Sequence, residues 1–346
     1  MKKHKHGGDI YSRNIEMDYS ANISPLGIPK RSEEAILASL DRLVHYPDVE
    51  CRSLRAMLSE KEGIPADFIL CGNGAAELIF ALANGLKPKR ALVAAPGFAE
   101  YEQALSGAGC ELSFYELKEA QGFAYQEDYF QNITEELDMV FLCNPNNPTG
   151  GTVDRAFLIA AAERCRECGC LLVVDECFNK FLDDAEAVTM KPYLEQYPNL
   201  VILDAFTKIY AMPGLRLGYC MTANERIREK MRSVMQPWSV STLAQVAGEA
   251  ALEEEFYVDE VRTVIREERS FLEHEMRKLG LTVFSARANF IFFKAPEDLA
   301  EKLLAKSILI RDCSNYRGLK KGYFRIAVRG HRENEALMRA FAEVLS

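Results

Sequence analysis

Lys208 closes the segment Asp204-Ala-Phe-Thr-Lys208, directly after the apolar run Val201-Ile-Leu, and Arg216 follows eight residues later in Pro213-Gly-Leu-Arg216-Leu-Gly-Tyr. Upstream stand Val173-Val174-Asp175-Glu176 and the turn-forming Asn144-Pro-Asn-Asn147-Pro-Thr-Gly150. A lysine amine attacks aldehydes, a carboxylate pairs with a protonated ring nitrogen, and a guanidinium grips phosphate through paired N–H donors. Each of these residues falls at the end of a predicted strand. Together they can form a pyridoxal-phosphate site, with Lys208 on the aldehyde carbon, Asp175 on the pyridinium nitrogen and Arg216 on the phosphate.

Further candidates surround this set. Cys71-Gly-Asn-Gly74-Ala75-Ala76-Glu77 precedes a predicted helix over Ala75–Leu86. Glycines there leave backbone N–H groups aimed at an anion, although an ordinary glycine turn reads the same way. Phe98, in Ala95-Pro96-Gly97-Phe98, can stack on a pyridine or fill a core. Asn147 can donate to a phenolic oxygen or simply shape its turn. Asp175 is sharper, because a carboxylate ending an apolar strand is costly unless paired. Glu176 is expected in a structural pair or facing solvent. Arg325 interrupts the strand Phe324-Arg325-Ile-Ala-Val, with Arg311 fourteen residues earlier; each suits a carboxylate or phosphate, or an edge-strand charge.

The elements that must hold these residues alternate along the chain. Apolar runs Arg90–Ala95, Asp138–Cys143, Cys170–Asp175 and Val201–Asp204 are separated by helical patterns over Phe98–Ala108 and Asp154–Cys168. Near-continuous apolar strands between helices predict an α/β fold with a mostly parallel sheet covered on both faces. Such folds bind ligands at the carboxyl ends of their strands, where Asp175 and Lys208 fall. Past residue 250 a long amphipathic helix is predicted over Glu253–Leu279, followed by short strands and helices of a smaller α+β unit. The division expected is a large domain over 45–250 and a small one from 1–44 and 251–346, with the N-terminal arm packed on the latter.

At 346 residues with 48% apolar and 27% charged content, the chain fits a two-domain soluble protein. A net charge of −9 argues against a nucleic-acid partner. No apolar run is long enough to span a membrane, and the basic opening segment has no apolar stretch after it, so neither a span nor a secretory signal is expected. Ten cysteines without such a signal suggest reduced thiols and a cytoplasmic location. Cys165-x2-Cys168-x-Cys170 invites a metal, but no second ligand pair lies at suitable spacing, so none is expected.

The order of motifs resembles the fold-type I pyridoxal-phosphate enzymes of the class I/II aminotransferase superfamily. Within it the chain is similar to threonine-phosphate decarboxylases and histidinol-phosphate aminotransferases, from His6-Gly-Gly to the C-terminal helix. The resemblance implies that Lys208 carries the cofactor as an imine, Asp175 faces the pyridinium, Asn147 donates to O3′ and Phe98 stacks on the ring. It also implies that Gly74, Ala75, Thr207 and Arg216 surround the phosphate, joined by Tyr46 from the other subunit of a homodimer. Arg325 would bind the substrate carboxylate with Arg311 assisting, and Asn22 and Gly27 would line the substrate side. His6 would face a substrate phosphate, against the alternative of an unstructured terminal histidine. Two positions depart from the common pattern. Phe178 stands where many relatives have a tyrosine that also contacts O3′, and Ala205 where Ser or Thr usually touches the phosphate.

The N-terminal His6-Gly7-Gly8-Asp9 and the Ile310–Leu319 segment resemble the decarboxylase branch more than the aminotransferase branch. The reaction expected is decarboxylation of a phosphorylated amino acid of the threonine-phosphate type, with histidinol-phosphate transamination as the alternative. A regulatory module on the same fold would need a DNA-binding extension, for which the chain has no spare basic segment. A dinucleotide binder would need Gly-x-Gly-x-x-Gly after a strand, and none occurs.

Overall fold

The computed structural model describes residues 6–284 and 286–345. Its largest feature is a seven-stranded sheet, ordered Ile69–Asn73, Leu217–Met221, Leu200–Ala205, Leu171–Asp175, Met139–Cys143, Arg90–Ala95 and Glu111–Glu116. All neighbours pair in parallel except Leu217–Met221, which runs antiparallel to the strands on either side. The three apolar runs at its centre are buried throughout because alternate residues feed two cores. Val140, Leu142, Leu172, Val174 and Ile202 enter one core, against the helices Arg155–Glu167 and Thr242–Leu252. Phe141, Val173, Val201 and Leu203 enter the other, against Gly74–Leu86 and Ala99–Gly107. With both faces apolar, a strand slipped by one residue gains nothing, so register is held by the polar strand ends.

The 22-residue helix Tyr257–Lys278 leads to a four-stranded antiparallel sheet, ordered Arg311–Asp312, Tyr323–Ala327, Phe290–Lys294 and Thr282–Val283. Met17–Asp18 pairs in parallel with Ile308–Leu309, and the Tyr19 carbonyl accepts from the Ala327 N–H at 2.8 Å. No described helix is long and apolar enough to cross a membrane.

The long helix begins four residues later than its periodicity predicts. Thr242–Leu252 forms its own helix, and Glu253, Glu254 and Glu255 make the exit turn, with the Glu254 N–H on the Ala251 carbonyl. The three adjacent carboxylates lie between the carboxyl end of one helix and the amino end of the next, where negative charge is favoured. The edge strand Glu111–Glu116 was also unforeseen, because its alternating pattern buries only Tyr115 fully.

Candidate active site

Because Leu217–Met221 alone is reversed, its amino end meets the carboxyl ends of the other strands. Ala95, Cys143, Asp175 and Ala205 finish strands at this edge, and Arg216 immediately precedes the reversed one. Between them lies a cavity of about 270 Å³ lined by His6, Asn22, Ala75, Phe98, Asn147, Asp175, Thr207, Lys208, Arg216, Arg311 and Arg325, among others. A wider hollow of about 520 Å³ opens beside Asp138 and Leu171, at the amino edge of the sheet and away from this chemistry.

Lys208 sits in the single turn Phe206–Ile209 that follows its strand, and its carbonyl accepts from the Ser24 N–H at 3.0 Å. Burial lowers the pKa of its amine, and the nearby Arg325 and Arg216 charges push the same way, while Cys177 and Glu100 oppose them. A lysine so placed loses its proton more readily, which favours the nucleophilic form.

Asp175 is buried, and burial raises its pKa despite two donors. Its Oδ2 accepts from the Tyr101 hydroxyl at 2.5 Å, and its Oδ1 from the Cys177 N–H at 3.0 Å. Burial and the Asp175 charge push the Tyr101 hydroxyl well up, so it remains a donor. A raised carboxyl with unspent acceptor capacity is a ready partner for a cationic ring N–H. Glu176 turns away: it is buried and accepts from Thr189 Oγ1 at 2.5 Å and the Met190 N–H at 2.8 Å. It is therefore hydrogen-bonded inside the fold and does not face solvent.

The asparagine-rich loop divides its labour. Asn144 exchanges two hydrogen bonds with Val153, and Asn146 donates to the Pro96 carbonyl at 3.1 Å and Thr149 Oγ1 at 2.9 Å. Asn147 is spared this work; its Oδ1 accepts from Arg325 Nη1, which leaves its amide nitrogen to donate into the cavity.

Two glycines bring Arg216 and a helix N-terminus together. Gly74 has φ +74°, and a Cβ there would lie 2.5 Å from Arg216 Nη2. At Gly218 a Cβ would lie 2.5 Å from the Ala75 nitrogen. The 13-residue helix Gly74–Leu86 therefore starts against the reversed strand, with a guanidinium at its N-terminus where backbone N–H groups already attract an anion. Gly74 stands behind Arg216, while Ala75 and Thr207 face the cavity. Alanine at Gly74 would crowd Arg216, and alanine at Gly218 would press on the backbone that opens the helix.

Arg311 and Arg325 are directly opposite in antiparallel strands, so both project to one face. Like charges so paired repel unless an anion is drawn between them. Arg325 Nη2 donates to the Ser20 carbonyl at 2.8 Å, and its buried Nε has no partner among the described residues. Arg311 donates to the Asp312 carbonyl at 2.6 Å and Asn315 Oδ1 at 2.9 Å, and lies 5.0 Å from the centre of the Tyr316 ring. Asn22 is buried with both amide atoms unpartnered among the described residues. His6 Nδ1 stands 3.5 Å from Glu100 Oε1; burial, then Arg311, lowers its pKa.

Gly27 is not among the residues that line the cavity. Its carbonyl is tied to the Tyr257 hydroxyl at 2.5 Å, in a turn where φ is +79°. Tyr46 is 79% exposed and stacks on Trp238 at 4.5 Å, outside the cavity of its own chain. Phe178 and Ala205 both line the cavity, the former packed edge-on against Phe290. Tyr101, Tyr316 and Cys177 were missed in the sequence. Tyr101 had a signal: it lies three residues after Phe98, one helical turn along the same face.

The aminotransferase class I and II family pattern matches residues 17–343. The chain is 39% identical to threonine-phosphate decarboxylase of Salmonella typhimurium, over 99% of this chain and 96% of that protein. Its fold matches the histidinol-phosphate aminotransferase of Clostridium acetobutylicum with a TM-score of 0.89 and 32% identity, covering 95% of this chain and 99% of that one. It matches L-threonine-O-3-phosphate decarboxylase of Porphyromonas gingivalis with a TM-score of 0.83 and 27% identity, covering 94% and 98%. The geometry at the strand ends and these likenesses lead to one assignment: the chain belongs to the class I and II aminotransferase family.

Proposed function

We propose that this protein is a pyridoxal-phosphate-dependent lyase that decarboxylates a phosphorylated amino acid of the L-threonine O-3-phosphate type to an amino-alcohol phosphate. The observation that carries this is the Arg311–Arg325 pair, two guanidiniums facing one cavity beside Lys208, which suits a small substrate with an anion at each end. The near-full-length likeness to threonine-phosphate decarboxylase supports it.

Pyridoxal phosphate, when bound, supplies an electron sink for the pair left on Cα when one of its bonds breaks. Asp175 keeps the ring nitrogen protonated by pairing with it. Arg216 and the Gly74–Leu86 N-terminus hold the phosphate, with Thr207 beside them. Asn147, oriented by Arg325, donates to the phenolic oxygen, and Phe98 covers one ring face. The clamp formed by Arg311, Arg325 and His6 would orient the substrate and so choose which bond to Cα is given up, and Lys208 would be the group placed to return a proton to Cα once carbon dioxide is lost.

The assay is direct. O-phosphothreonine incubated without any keto acid is expected to release carbon dioxide over many turnovers. Histidinol phosphate is expected to yield no sustained product under the same conditions. The strong structural likeness to a histidinol-phosphate aminotransferase favours transamination as the second reading. Stoichiometric pyridoxamine phosphate with no carbon dioxide would establish that reading and exclude the first.

The site is also proposed to be shared between two copies of the chain. Tyr46 and Trp238 form an exposed aromatic pair, and Leu37, Leu40, Leu43 and Val44 are exposed nearby in sequence. A two-fold dimer covering this surface would bring Tyr46 to the partner's phosphate cradle. Mixing Tyr46→Ala and Lys208→Ala proteins should regenerate activity through hybrid sites. A fully active monomer by light scattering would rule this out.

A further inference from the structure

Beneath the cavity floor lies a ring of charge with no expected part in binding the cofactor. Lys180 Nζ donates to Glu62 Oε1 at 3.0 Å, to the Tyr219 hydroxyl at 2.8 Å and to Asp204 Oδ2. Lys191 Nζ reaches Glu62 Oε2 at 2.5 Å and Asp204 Oδ2 at 3.6 Å. The Tyr219 hydroxyl closes the ring, 2.5 Å from Glu62 Oε1 and 2.8 Å from Asp204 Oδ2. The Asp204 and Glu62 side chains are only 2% and 6% exposed, so these charges see protein and little water. Two ammoniums balance two carboxylates.

The placement is what matters. Lys180 lies five residues after Asp175, Asp204 four before Lys208, and Tyr219 three after Arg216. The ring thus ties together the three segments that present the reacting acid, the amine and the phosphate clamp. Glu62, at the end of the helix Arg52–Glu62, is the fixed post between them. Asp204 also acts at a distance, since its charge adds to burial in raising the Asp175 carboxyl. Burial opposes ionisation of Glu62, Lys180 and Lys191. Even so, Lys180 and Lys191 hold the Glu62 carboxyl far below its usual range, and Asp204 and Glu62 hold the Lys180 ammonium up.

We propose that Lys180 is a positioning residue for the reaction: held between Glu62, Asp204 and Tyr219, it balances the Asp204 charge and fixes the strand ends that carry Asp175 and Lys208. This rests on the cofactor assignment above. The other groups facing Asp175 are Tyr101, Cys143 and Cys177, and those facing Lys208 are Arg325, Arg216, Cys177 and Glu100. Asp204 also acts on Asp175, and it is the carboxylate that Lys180 neutralises. Without Lys180, a net negative charge remains beneath the site, Asp175 is protonated more readily, and its grip on a ring N–H weakens.

The test uses the aldehyde-free analogue 4′-deoxypyridoxine phosphate on cofactor-free protein, together with the pH midpoint of the visible band of the holoenzyme. Lys180→Met is expected to bind the analogue about tenfold more weakly and to move the midpoint up by on the order of one pH unit. Asp204→Asn, which leaves the opposite imbalance, is expected to move it down. The charge-balanced double variant, Lys180→Met with Asp204→Asn, should return both readouts toward wild type. A purely structural ring would lower the melting temperature in these variants and leave affinity and midpoint unchanged in folded protein, which overturns the proposal. If Lys180→Met does not fold, Asp204→Asn and the double variant decide it by the same two readouts. Wild-type protein that fails to bind the analogue would instead defeat the cofactor assignment itself.

Discussion

Lys208→Ala is expected to reduce turnover by on the order of 10⁴-fold or more while the fold persists, since it removes both the covalent attachment and the group that moves the proton. Borohydride reduction followed by peptide mapping should place the trapped cofactor on the peptide containing Lys208; recovery on another peptide would refute the assignment. Stability should change in the opposite direction. The folded protein lowers the pKa of this amine below the ordinary 10.5, chiefly by burial, so the unfolded chain holds more protons between the two values. Stability from this group is therefore complete above 10.5 and lost as pH falls through the folded value. Cofactor-free Lys208→Met escapes that cost. It should melt above cofactor-free wild type near neutral pH, with the gain shrinking as pH approaches 10.5. A lysine that costs stability where it stands is there for chemistry.

Asp175 was legible as a candidate because it ends a continuous apolar run, and Lys208 because it stands in the turn that follows one. A charge at the end of a strand buried on both faces has few structural uses, so composition alone narrowed its role. Asn147 was legible only as a turn residue with a second possibility. What freed it for the cavity is that Asn144 and Asn146 stitch the loop, a division of labour visible only once the partners Val153, Pro96 and Thr149 are in place. Arg216 could be placed near Lys208 by spacing, but the reason it turns inward is the reversal of Leu217–Met221. Strand direction depends on which neighbour a segment pairs with, and local periodicity does not carry that information. The ring around Lys180 was invisible for the same reason. Its members come from positions 62, 180, 191, 204 and 219, and each taken singly is an ordinary surface-type residue. The tie of Gly27 to the distant Tyr257 hydroxyl could not be read from its segment either, since it joins residues 230 positions apart.

Truncating Arg325 should cripple substrate use more than cofactor binding. The residue is buried, shares its strand register with Arg311, lines the cavity, and carries an Nε without a partner among the described residues. Arg325→Ala leaves the incoming anion without its paired donor in a partly dry site, a loss of roughly 2–5 kcal/mol. At about 1.4 kcal/mol per factor of ten, kcat/KM should fall by roughly 30- to 4,000-fold. Cofactor affinity should change by less than about tenfold, because Arg325 bears on the ring side of the cavity through the Asn147 contact and its charge near Lys208, and holds neither the ring nitrogen nor the phosphate. Arg325→Lys keeps the charge and loses the fork, so it should recover only part of the loss. The comparison with Arg311→Ala separates the two ends of the clamp. If Arg325 takes the carboxylate and Arg311 the phosphate, a substrate without the phosphate should be handled equally badly by wild type and Arg311→Ala, and worse by Arg325→Ala. Equal losses of cofactor and substrate binding in Arg325→Ala would instead make it a structural charge, and the anion at Cα would need another partner.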